Sequence, residues 1–296
     1  MTERYECGID VDAVVAIDVH THVEVDCHGH SAYDDELTDA TRTYFRMGDQ
    51  AAATIDDLAA HYRERHAAAV VFTIDAETAT GHPPNSVEDL IAGAARHDDV
   101  LIPFGTVDPL QVERAVARVR EQAALGVRGF KFHPSVQGFE PNDRRFYPIY
   151  EAIQTAGVPA LFHTGQTGLG SGLPGGHGIK LRFSDPMLLD DVAADFPALT
   201  IVMAHPAVPW VEAQIAIVAH KSNVYLDLSG YAPKYFPAEL VRALSRQLKT
   251  KALFGTDYPY VQMDRWTREF AALELGSETE ALIMKDNALR VLGLTR

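Results

Sequence analysis

The chain has 296 residues, 47% of them hydrophobic, and a formal net charge of −15 with histidine neutral. That length feeds a sizeable core and suits a single large α/β domain. So acidic a chain argues against nucleic acid and anionic membranes as partners, yet says little about the substrate, because a bound cation reverses the field around it. The two cysteines, Cys7 and Cys27, make no disulfide framework; Cys27 reads as a loop thiol, with a ligand role beside His28 and His30 left open. The polar N-terminus lacks an apolar targeting segment, and no apolar run is long enough to span a bilayer, so the expectation is a cytoplasmic protein.

Short apolar runs at 14–19, 69–74, 100–106, 127–132, 158–162, 199–204, 224–228 and 252–255 read as strands buried on both faces. Segments with apolar spacing near 3.6 alternate with them: 55–66, 87–96, 112–125, 145–155, 186–195, 211–220 and 237–248, then two helices at 263–275 and 278–292. Gly126 and Gly157 sit between helix and strand, where a left-handed cap belongs. Eight β–α units in strict alternation predict a (β/α)₈ TIM barrel, one domain over 1–296 with 1–13 as an N-terminal extension. An open doubly wound sheet is the rival, but no Gly-x-Gly-x-x-Gly follows the first strand.

Two connections are long, 23–53 and 164–184, and both leave strand ends on the face where barrel active sites form. The second is dense in glycine, which suits a lid or a close backbone approach to a ligand.

Metal-capable residues crowd the ends of five strands: His20 and His22, Lys131 and His133, His163, His205, and Asp257. Residues i and i+2 of a strand share a face, so His20 and His22 point together into the barrel mouth as half of a metal site. His163 and Asp257 are placed to close it from across the barrel. A single histidine at a strand end is an ordinary hydrogen-bonded residue; four with an aspartate are not.

Together, Asp18-Val19-His20-Thr21-His22, Phe162-His163-Thr164-Gly165, Ala204-His205-Pro206 and Gly255-Thr256-Asp257-Tyr258-Pro259 make the chain resemble the amidohydrolase superfamily, in its "amidohydrolase 2" branch of decarboxylases and lactonases. The resemblance implies that His20, His22, His163 and Asp257 bind one divalent metal, zinc first and manganese as the alternative. It implies that His205 and Asp257 are the catalytic acid/base groups. Lys131 has the strand and neighbours of the carboxylated lysine that bridges two metals in binuclear members; otherwise it meets a substrate carboxylate. His133, Arg182 and Tyr258 complete the expected substrate-binding set, while Asp227 reads as a support for its neighbours.

The implied reaction is attack of metal-activated water on a small, carboxylated lactone, ester or amide. The alternative is non-oxidative decarboxylation of an aromatic or muconate-type acid. Branch decarboxylases commonly carry Gly-Glu shortly after the strand-six histidine, and some have Glu at the first histidine. Here His205 is followed by Pro206-Ala207-Val208-Pro209-Trp210 and the first position is His20, which favours hydrolysis. The partner is a small molecule, and assembly as a homodimer or larger homo-oligomer is left open.

Overall fold

The structure, a computed structural model, describes residues 4–294. Residues 1–3 of the expected N-terminal extension, and the last two of the chain, lie outside the described residues. The eight expected strands are all present: β1 (Ala16–His22), β2 (Ala67–Phe72), β3 (Leu101–Pro103), β4 (Phe130–Phe132), β5 (Ala160–His163), β6 (Ile201–Ala204), β7 (Val224–Asp227) and β8 (Ala252–Leu253). They pair in parallel as β1-β2-β3 and β4-β5-β6-β7-β8.

Bridges outside the strands close the two seams. Gly105 pairs with Phe130, and Thr21 pairs with Tyr258. Across the second seam His22 N–H donates to Tyr258 O at 2.8 Å and Asp257 N–H to His20 O at 2.9 Å. Closure therefore brings the metal-capable ends of the first and last strands side by side.

Two shells of side chains follow from strand alternation. Ala69, Phe130, Phe132, Phe162, Met203 and Phe254 join the helices outside, including the fully buried Trp266. Ile17, Val70, Ile102, Leu161, Val202 and Leu253 form the inner cluster, together with Ile9, Val11, Val14 and Leu292. Residues expected as an extension thus form the barrel floor. Lys285 Nζ holds them there, donating to Val11 O (3.1 Å) and Val14 O (2.9 Å).

The long connection after β1 is not structureless, since it contains helix Asp35–Phe45. Its signal is local: Asp34 accepts from Leu37 N–H as N-cap, Asp35 and Glu36 sit in the first turn, and Leu37 and Thr41 are buried. Only one of the two is apolar, too few for a periodicity reading. Among the described residues no helix is long and apolar enough to cross a membrane.

Candidate metal centre and active site

The register of β1 slips between Asp18 and Thr21. Strict alternation would set Asp18 beside His20, but the slip lets their side chains part company. Asp18 Oδ2 accepts from Tyr62 Oη on helix Ile55–Glu64 and from Thr256 Oγ1, both at 2.6 Å. Its Oδ1 accepts from the N–H groups of His20 and Thr256 at 3.0 Å. Burial raises its pKa to about 6. Asp18 therefore ties the first strand to the last and leaves His20 and His22 to the cleft.

His20 is anchored from behind. Its Nδ1 donates to Asp227 Oδ2 at 2.5 Å. Ser229 Oγ also donates to Asp227 Oδ2, at 2.8 Å, and lies 3.0 Å from the Nδ1 of both His20 and His205. With its proton spent on Asp227, the serine oxygen can only accept. Both imidazoles are therefore Nδ1–H tautomers that present Nε2 lone pairs forward. Gly255 permits this arrangement, because a Cβ there would lie 2.1 Å from Asp227 Oδ1.

In front, Asp257 Oδ1 lies 3.2 Å from His20 Nε2 and 3.0 Å from His22 Nε2. Donor atoms of His20, His205 and Asp257 all fall within 4.8 Å of one another. His205 and Asp257 both have a positive φ, 69° and 68°. That conformation is costly outside glycine and turns these side chains back over the strand ends. His205 thus shares this cluster with His20 and Asp257.

His163 completes the ring. It stacks on His133 with centroids 3.8 Å apart and lies 4.8 Å from the ring of His205. His163 Nε2 is buried without a hydrogen-bond partner, which an ordinary structural histidine avoids and a ligand nitrogen requires. His133 is secured by Thr167 Oγ1 at 3.2 Å from its Nε2. Lys131 is buried with Nζ 3.2 Å from His20 Nε2 and 4.9 Å above the Phe72 ring.

Electrostatics suit a cation. Burial pushes His22 and His205 down to about 4, and His133 and His163 well below the ordinary value, so these rings are neutral and free to ligate. Burial alone would raise Asp257, but His20 and His22 outweigh it and hold the carboxyl ionised. Burial lowers Lys131 to about 8 against the pull of Asp257 and Asp227. Convergent imidazole nitrogens, one carboxylate and an orphaned His163 nitrogen fit a divalent metal.

The donors open into a cleft walled by Tyr33, Tyr44, Phe45, Tyr231 and Tyr260. Among the described residues, Lys131 is the only Lys or Arg lining it and Asp257 the only carboxylate. Two expected substrate residues fall elsewhere. Arg182 is exposed, 3.5 Å from Glu140 and stacked at 4.4 Å on Phe183, because its short 3₁₀ turn buries Phe183 and turns the arginine to solvent. Tyr258 packs 4.3 Å from the His61 ring, outside the cleft, and Tyr260 two residues on faces the site instead. The sequence reading missed Ser229 and the aromatic walls. Serine two residues after a strand-end aspartate was the available signal; the walls had none.

The amidohydrolase family model (Amidohydro_2) matches residues 17–294. An uncharacterized TIM-barrel protein of Bordetella bronchiseptica superposes with a TM-score of 0.75 at 23% identity, covering 94% of this chain and 98% of its own. A 5-carboxyvanillate decarboxylase of Novosphingobium aromaticivorans, complexed with manganese and 4-hydroxy-3-methoxy-5-nitrobenzoic acid, gives 0.63 at 16%, covering 99% and 100%. A "probable 2-pyrone-4,6-dicarboxylic acid hydrolase" of Acinetobacter baumannii with bound citric acid gives 0.63 at 12%, covering 95% and 100%. The barrel, its ring of strand-end donors and the match across nearly the whole length agree: the chain belongs to the amidohydrolase family and is a metal-dependent enzyme of the hydrolase or carboxy-lyase kind.

Proposed function

We propose that the chain hydrolyses a small carboxylated lactone, ester or amide that carries a flat unsaturated body. The observation that carries this reading is Asp257. It is the carboxylate among the residues lining the cleft, it is held ionised, and its Oδ1 sits between the nitrogens of His20 and His22. His20, His22, His163 and Asp257 would hold a divalent cation, which would supply Lewis acidity and lower the pKa of a water toward about 7. Zinc suits the donor set best, with manganese the alternative.

The chain's own groups do the rest. Asp257 takes the proton of the attacking water. His205, whose Nδ1–H is spent on Ser229, accepts that proton from Asp257 on its Nε2 lone pair and delivers it to the leaving group. Lys131 receives the substrate carboxylate as a point charge, and the aromatic walls stack on the body of the substrate. The segment after His205 brings no carboxylate into the cleft, which favours hydrolysis over carboxy-lyase chemistry.

The second reading, decarboxylation of an aromatic acid, draws on the same aromatic walls. A panel of lactones, esters and hydroxybenzoic acids, followed for acid release and for CO₂, separates the two. Acid release without CO₂ is expected; CO₂ release alone overturns the proposal. We also read the enzyme as cytoplasmic; its assembly, monomer or homo-oligomer, is open to light scattering.

A further inference from the structure

Outside the cleft, a second set of metal-capable side chains comes together. Donor atoms of Cys27, His28 and Asp89 all lie within 4.8 Å of one another. The first two stand at the tip of a small hairpin closed by the Val25–Ser31 bridge. Asp26 builds that tip: its Oδ1 accepts from the N–H groups of His28 (2.8 Å) and His30 (2.9 Å), and its backbone O accepts from Gly29 N–H at 3.0 Å. Asp89 belongs to helix Val87–Arg96, where its N–H donates to Ser86 Oγ, and its Oδ2 accepts from the Cys27 thiol at 3.4 Å.

An independent feature points to a ligand at the same place. Asn85 is only 3% exposed, and its Oδ1 has no hydrogen-bond partner. It lines one groove with Asp26, Cys27 and Asp89. A buried amide oxygen normally finds a donor or a cation.

We propose that Cys27, His28 and Asp89 form a second divalent-metal site, distinct from the cleft, that takes zinc or a zinc-like ion. Thiolate, imidazole and carboxylate together select a borderline-soft cation, whereas magnesium, calcium and manganese favour oxygen alone. Asn85, in the wall of the same groove, offers a further oxygen donor. Binding ionises the Cys27 thiol, whose proton passes to solvent. The ion pins the hairpin after β1 to the N-terminus of helix Val87–Arg96. The same segment carries Tyr33 into the cleft wall, so the pin steadies one side of the substrate site. The inference does not depend on which reaction the cleft performs.

Cobalt titration of the intact protein tests it, because a thiolate on cobalt gives strong near-ultraviolet charge-transfer absorption that a site of nitrogen and oxygen donors does not. Wild type and Cys7→Ser are expected to show the band, and zinc to abolish it. Cys27→Ser is expected to lose the band together with one metal equivalent while retaining the metal of the cleft. Zinc is also expected to protect Cys27, and not Cys7, from a thiol reagent. Absence of the band in cobalt-saturated wild type, its survival in Cys27→Ser or its loss in Cys7→Ser overturns the proposal. His28→Asn and Asp89→Asn, which keep the thiol, are expected to weaken cobalt binding at this site at least tenfold; unchanged affinity in both overturns the ligand set.

Discussion

Asp227 does not line the cleft, yet from behind it fixes His20 through one direct bond and His205 through one serine. Replacing it by Asn keeps the shape but removes the charge and one of two acceptor oxygens, so a single amide oxygen cannot serve both Ser229 N–H and His20 Nδ1–H. Asp227→Asn is expected to weaken cleft metal binding by about 10- to 100-fold, read by competitive metal titration. His20→Ala and Asp257→Ala are expected to lose the cleft metal outright, and full occupancy in either refutes the ligand assignment. Chelation is expected to abolish turnover, with zinc or manganese restoring it; activity that persists in a verified metal-free sample argues against metal dependence.

At the level of elements, loop contacts set the cleft. Gly168 lies against the Phe45 ring, and a Cβ there would come within 2.4 Å of it. The glycine-rich segment after β5 thus makes a close approach to the helix after β1, and both line the cleft. Gly168→Val is expected to cost about 1–3 kcal/mol through overpacking and to raise KM, because Phe45 must yield; thermal melting and steady-state kinetics check the pair. Helix Ile55–Glu64 carries a full capping box, with Thr54 and Asp57 satisfying each other's backbone N–H. Thr54→Ala is expected to cost about 1 kcal/mol with little change in kcat, measured by urea denaturation. The helix bears Tyr62, so a larger catalytic loss would mean that Asp18 and β1 feel the helix end.

For the whole molecule, buried neutral histidines make the metal-free fold sensitive to acid. His22, His61 and His205 are each lowered to about 4, burial being the leading cause, against an ordinary value of 6.5. Between those values the unfolded chain binds more protons than the folded one, so stability falls as the pH drops from about 6.5 to about 4. His133 and His163, lowered further, act in the same direction, while Asp18 and His20, shifted upward, oppose it. The denaturation midpoint of chelated protein is expected to be lower at pH 5 than at pH 7, and His61→Gln to shrink that difference. A flat profile contradicts the burial argument.

Strand count, the main helix–strand alternation and the placement of donors at strand ends were legible from the chain, because continuous apolar runs and helical spacing are local properties. Closure then needs no further instruction to bring His20, His163, His205 and Asp257 to one mouth. What depends on partners far apart in sequence was decided by the tertiary structure. The slip that turns Asp18 away from His20, the serine bridge from Asp227 to two rings, and the exposure of Arg182 are such cases. So are the aromatic walls and the meeting of Cys27 with Asp89. A sequence pattern states which residue types alternate; only packing in three dimensions decides which atoms meet and which charges lose their water.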